Sequence, residues 1–167
     1  MTEPIPTSHA AHRAARRLAL AAIFEADFGQ RTPASALERQ LSDIGADAET
    51  AAYARQLVEA VVRHRDSIDA RIEQVAPAYP VVQLARIDRA LLRSGLGELL
   101  HSAATPARVV IAEWVGLARA YSGEPARRLL NGVLGRIADE AGLAAPTRGG
   151  GDRESGRSRS GGVRPPR

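Results

Sequence analysis

The segment from Val81 to Ser102 carries Leu84, Ile87, Leu91, Leu92, Leu96, Leu99 and Leu100 at three- and four-residue intervals, and no other feature restricts the fold of this chain so strongly. Leucines at that spacing form one stripe on a helix, and so wide a stripe must be covered by neighbours on several sides. The spacing predicts the central helix of a bundle, with a short break near Arg86. Neighbouring segments supply the covering helices. One runs from Arg13 to about Asp27 and ends near Gly29, and another runs from Pro33 to Asp43 and stops at Gly45. A third, N-capped by Asp47, reaches about His64, and a fourth, capped by Asp66, continues through Ile68, Ile72 and Val75. Pro77 and Pro80 interrupt the pattern. Beyond the central helix, Thr105-Pro106 and Glu124-Pro125 place proline where a helix begins, which predicts helices over about 107–121 and 125–141. No alternating run is long enough to nominate a strand, so the chain reads as all-α, a compact bundle of about six to seven helices.

Three regions follow from composition. Residues 1–9, with Pro4 and Pro6, read as a disordered approach, residues 10–143 as the helical domain, and residues 144–167 as a tail of Gly, Ser and Arg. That tail has too few apolar residues to offset the entropy of ordering it, so disorder is expected. No apolar run nears the roughly 18 residues of a membrane span, and no secretory core precedes the first helix, which points to a cytoplasmic protein without a membrane partner. The chain has no cysteine, which removes disulfides, thiolate nucleophiles and cysteine-held metals. His9, His12, His64 and His101 are scattered, and a metal site or other cofactor is not expected.

All 23 basic residues are arginine, and their distribution matters more than their number. Six of them oppose two acids in residues 144–167, whereas 17 oppose 17 in residues 1–143. The net charge of +4 therefore belongs to the tail, and any nucleic-acid surface on the folded body must come from local clustering. The first helix offers such a cluster. At about 100° per residue, Arg13, Arg17, Leu20 and Phe24 share a narrow stripe, and Ala11, Ala15, Ala19, Ala22 and Ala26 gather opposite. Two guanidiniums followed by a ring suit single-stranded RNA, with phosphate contacts to position the strand and a flat face for an unpaired base. The same pattern also fits solvated arginines beside a core phenylalanine, and the spacing does not decide between the two.

The final helix carries Asn131-Gly132-Val133-Leu134. Together with Ile87-Asp88-Arg89-Ala90-Leu91-Leu92-Arg93, Glu98-Leu99-Leu100 and Val110-Ile111-Ala112-Glu113-Trp114, this string makes residues 12–141 resemble the NusB family of bacterial transcription antitermination factors. The resemblance implies a protein that, with NusE, a small-subunit ribosomal protein, binds boxA-like RNA in nascent ribosomal transcripts and helps RNA polymerase read through terminators. It places RNA contacts on Arg13, Arg16, Arg17 and Phe24 of the first helix, where Ala15, Arg16, Ala19, Ile23 and Phe24 match the family pattern, and on Arg127, Arg128, Leu129 and Asn131 of the last. Asp88 falls where the family meets NusE, the alternative being a local pair on its own helix. Glu113 falls on a glutamate that recurs in the family, Trp114 is a candidate core residue, and Gly132 is expected to permit close helix contact.

The chain departs from the family pattern at several of these positions. His12 stands where a further arginine is common, Phe24 where tyrosine is usual, Ala126 where serine is common and Leu129 where phenylalanine is. Phe24 keeps a stacking face and loses a hydroxyl, whereas Leu129 loses the ring itself. These changes leave room for a second function, a NusB-like homodimer or protein-partner module with weakened RNA binding. An enzyme is not expected, because the chain has no phosphate loop, no His-Glu metal motif and no nucleophile elbow, and Asp139-Glu140 reads as a solvated helix face.

Overall fold

A computed structural model describes residues 9–102 and 104–143. The expected disorder of the first eight residues and of 144–167 lies outside the described residues, and His9, placed in that approach by its sequence, is the first residue of a helix. Six α-helices and one 3₁₀ turn make up the described chain. They are α1 (His9–Ala26), α2 (Pro33–Ile44), α3 (Ala48–Val75), the 3₁₀ turn (Val81–Gln83), α4 (Arg86–His101), α5 (Ala107–Tyr121) and α6 (Glu124–Glu140). No strand occurs among the described residues, and no described helix is long and apolar enough to cross a membrane.

Local signals set most of these boundaries. Thr32 accepts a hydrogen bond from the Ser35 amide at 3.1 Å and Pro33 opens α2, while Gly45 closes it at φ 60°, a left-handed conformation that costs glycine nothing. Asp47 caps α3 through the Thr50 amide at 2.8 Å. The two helices expected on either side of Asp66 meet across a kink at His64 (φ −113°, ψ 15°), where the backbone leaves helical geometry, so that α3 is two helical segments run together. The Ser67 hydroxyl bonds the His64 carbonyl at 2.9 Å just past the kink, and Asp66 is exposed.

α4 is the central helix that its leucines predict. Every residue from Ala90 to Leu99 is buried, and α1, α3, α5 and α6 all pack against it. Two glycines let those neighbours approach. A Cβ on Gly97 would lie 2.9 Å from Val61 Cγ2 in α3, and one on Gly95 would lie 3.2 Å from Leu134 in α6 and 3.3 Å from Trp114 in α5. Gly132 does not play this role, because a Cβ there meets nothing within 4 Å and the residue is exposed. One turn beyond the Gly97 contact, His64 and His101 stack with ring centroids 3.6 Å apart. The second half of α3 is tied back to α4 by the fork of Arg93 on Asp69, both bonds at 2.9 Å.

Candidate nucleic-acid interface

The alanine face of α1 determines what the rest of that helix presents. Ala11, Ala15, Ala19 and Ala22 are buried, and their small side chains let α1 lie close against the bundle. Arg13 and Arg17 are exposed, whereas Leu20 on the same stripe is buried, so the stripe is a mixed one. Arg16 is buried. It lies about 20° around the helix from Ile23 and about 40° from Leu20, both buried, and is itself only 2% exposed. Its guanidinium is engaged inside the protein and does not form part of a surface that RNA could reach.

Glu98 is the acceptor that makes this burial tolerable. Fully buried on α4, it receives Arg16 Nε at 2.9 Å and Arg16 Nη2 at 2.7 Å. It also receives the Tyr53 hydroxyl at 2.6 Å from α3 and Trp114 Nε1 at 2.6 Å from α5. One carboxylate thus joins four helices, and its donors include a full positive charge, as a buried anion requires. Burial alone would lower the pKa of Arg16, but the hydrogen bonds and charge of Glu98 outweigh it and hold the guanidinium above its ordinary value. Burial and the Glu98 carboxylate together push the Tyr53 phenol up. His12, which stands where the family often has arginine, stacks on the Tyr53 ring at 3.9 Å.

A second carboxylate receives the outer arginine. Arg13 donates Nε and Nη2 to Glu113 Oε1, both at 3.1 Å, with Nε 3.2 Å from Oε2. Arg16 Nη1 lies 3.9 Å from Glu113 Oε2 on the inner side. A groove of about 410 Å³ runs between α1 and α5 here, with Arg13, Arg16 and Arg17 along one wall and Ala112, Gly116 and Ala120 along the other. At the far end of the helix Phe24 is half-buried, and the edge of its ring meets Phe28 at 5.3 Å. Phe28 is half-exposed, and the Arg86 guanidinium lies 4.5 Å over its ring.

The α6 candidates stand elsewhere. Arg128 and Leu129 line an apolar groove of about 630 Å³ together with Asp88, Leu84, Val75 and Tyr79. Leu129 is half-buried there and Arg128 exposed, while Asn131 is exposed on the same helix. Arg127 turns to Glu124 at 2.7 Å, and this bond lowers the carboxyl pKa of Glu124. Asp88 accepts the Ser122 hydroxyl at 2.6 Å, a contact from α4 to the end of α5, and its neighbour Arg89 donates to Asp27 at 2.6 Å instead. Among the described residues the partner of Asp88 is thus Ser122 at the end of α5, not a cation on its own helix. The sequence candidates fall into two grooves, Arg13 and Arg17 on one and Arg128 and Leu129 beside Asp88 on the other.

Sequence reasoning passes over Phe28, Arg86 and the partners of Glu98. Phe28 follows Phe24 by four residues, a spacing that brings rings together. A glutamate inside the leucine run of α4 is itself a sign that buried donors are needed.

Known proteins share this architecture. A model of the NusB family matches residues 13–139. The chain is 37% identical over 125 residues to the transcription antitermination protein NusB of Dehalococcoides mccartyi, covering 75% of this chain and 87% of that one. Its fold superposes on T. maritima NusB with a TM-score of 0.72 and 28% identity, over 84% of this chain and 94% of the other. A crystal structure of the antitermination factors NusB and NusE in complex with double-stranded RNA matches at a TM-score of 0.72 and 25% identity, over 80% and 99%. With its six helices and the Asn131-Gly132-Val133-Leu134 helix in place, the chain belongs to the NusB family.

Proposed function

We propose that this protein is an RNA-binding transcription antitermination factor that acts with NusE in the cytoplasm, on boxA-like RNA in nascent ribosomal transcripts, and promotes read-through by RNA polymerase. The observation that carries this reading is the outer edge of α1, where Arg13 and Arg17 stand exposed one turn apart and Phe24 follows on the same stripe. Arginines at that spacing can take successive phosphates, and the ring can take an unpaired base. Arg16 serves from within, fixing α1 against α4 so that its neighbours face out. Phe28 stands edge to face with Phe24, and Arg86 over the Phe28 ring adds a further positive charge at this end of the stripe.

The Asp88 groove is the proposed seat of NusE. It is mainly apolar, with Asp88, Arg128 and Arg136 among its lining, charges of both signs that would orient a partner. Arg128 and Leu129 lie on its wall, and with Arg127 and Asn131 they form the α6 part of the proposed RNA surface, adjoining NusE. Leucine in place of a stacking ring costs about 1–3 kcal/mol of base contact, roughly tenfold or more in affinity, so RNA should bind tightly only when NusE is present. No step in this function calls for catalysis.

The test is the affinity for a boxA RNA and for a scrambled RNA, with and without NusE, at two salt concentrations. Selective binding strengthened by NusE is expected. Equal, salt-sensitive binding to both RNAs would overturn the reading in favour of a homodimeric or protein-partner module.

A further inference from the structure

We propose that Glu113 is a built-in competitor for RNA phosphate, which releases Arg13 to the nucleic acid by transferring its carboxylate to Arg16. The inference rests on the RNA reading of α1 given above and adds to it a residue that sets the affinity of that surface. Three facts support it. Glu113 grips Arg13 by the Nε and Nη2 edge, with contacts of 3.1–3.2 Å, and this is the edge that a phosphate would take. The Arg13 side chain is 61% exposed, so an incoming strand can reach it, whereas Glu113 is 20% exposed and faces the floor of the groove. On the floor, Nη1 of Arg16 lies 3.9 Å from Glu113 Oε2, just outside hydrogen-bond range, while Nε and Nη2 of the same guanidinium are taken by Glu98.

The exchange leaves every charge with a partner. Before binding, the Glu113 carboxylate holds Arg13 and only approaches Arg16. Afterwards Arg13 holds phosphate, and Glu113 moves by less than the length of one bond to close on Arg16 Nη1. Arg16 cannot itself follow a ligand outward, because Glu98 holds it. A ligand that takes the Nε and Nη2 edge of Arg13 must complete this exchange. Because any two strands that do so displace the same carboxylate, Glu113 lowers affinity for both alike, and a strand that also stacks on Phe24 and contacts Arg17 more than makes up the loss.

The experiment is a double-mutant cycle on the full chain with NusE present, using a boxA RNA and a scrambled RNA in filter binding at low salt. Glu113→Gln should tighten both RNAs by a similar factor of about two- to fivefold, the strength of an exposed ion pair, and should leave the ratio between them unchanged. The same substitution in an Arg13→Ala background should change nothing. Glu113→Asp is the second variant, because it keeps the negative charge but is too short to hold Arg13 and reach Arg16 together. It should also tighten binding, which removal of diffuse charge cannot explain. An equal gain from Glu113→Gln with and without Arg13, or no gain from either variant, overturns the exchange. Wild-type affinity in Arg13→Ala would instead overturn the placement of RNA on α1, and the competitor with it. Thermal melts of each variant exclude misfolding as the source of a change.

Discussion

Arg16 on Glu98 and Arg13 on Glu113 are the same interaction in two settings. Each presents the Nε and Nη2 edge of a guanidinium to one carboxylate at about hydrogen-bond distance, and the two arginines lie three residues apart on α1. Arg16 and Glu98 are almost wholly buried, with indole and phenol donors completing the carboxylate, whereas Arg13 stands largely in water. Pairing geometry therefore says little about role. Burial decides it, because a buried charge that loses its partner cannot turn to solvent, while an exposed one can exchange its partner for a ligand.

The widest separation of the two pairs should come from removing their acids. Glu98→Ala leaves the Arg16 charge buried without its acceptor and should destabilise the fold by about 3–5 kcal/mol. Glu113→Ala should cost no more than about 1 kcal/mol. Denaturant midpoints of the two variants check this, and equal losses would break the comparison. A smaller effect should separate interior from surface at two glycines. Gly97→Ala forces a Cβ against Val61 and should cost about 1–3 kcal/mol. Gly132→Ala, with open space around it, should instead gain up to about 1 kcal/mol of helix propensity.

Among the arginines, Arg16→Ala should lower the thermal midpoint. Arg13→Ala and Arg17→Ala should leave it nearly unchanged and make RNA binding less sensitive to salt, by a slope of about 0.7 for each phosphate of a single strand that the variant no longer neutralises. The smallest expected effect is one of pH. Burial, and then the charge of His64, hold the His101 pKa below its ordinary 6.5. The fold disfavours the protonated ring, so this contribution is intact above pH 6.5 and is lost as pH falls below it. Comparing wild type with His101→Phe at neutral and mildly acid pH should show a shallower acid loss in the variant.

The helices are legible in the sequence where one force acts alone. Leucine spacing locates α4, and Thr32-Pro33, Gly45 and Asp47 mark ends that the structure keeps within a residue or two. Legibility fails where distant parts of the chain meet. Arg16 looks like a surface arginine because its acceptor, Glu98, sits 82 residues away. The break expected between His64 and Asp66, by contrast, is legible, since the backbone leaves helical geometry at His64 and resumes it beyond. The candidate RNA residues owe more to family likeness than to pattern. Pattern alone yields a single arginine stripe and cannot show that Arg128 and Leu129 share a groove with Asp88.

The bend in α3 has a consequence for the Asp88 groove. Beyond the kink at His64 the helix runs about 16 Å farther to Val75, at about 1.5 Å of rise per residue, and Arg93 holds this half against α4 through Asp69. The direction the chain takes at one histidine therefore decides where Val75 and Ala76 stand in the lining of that groove.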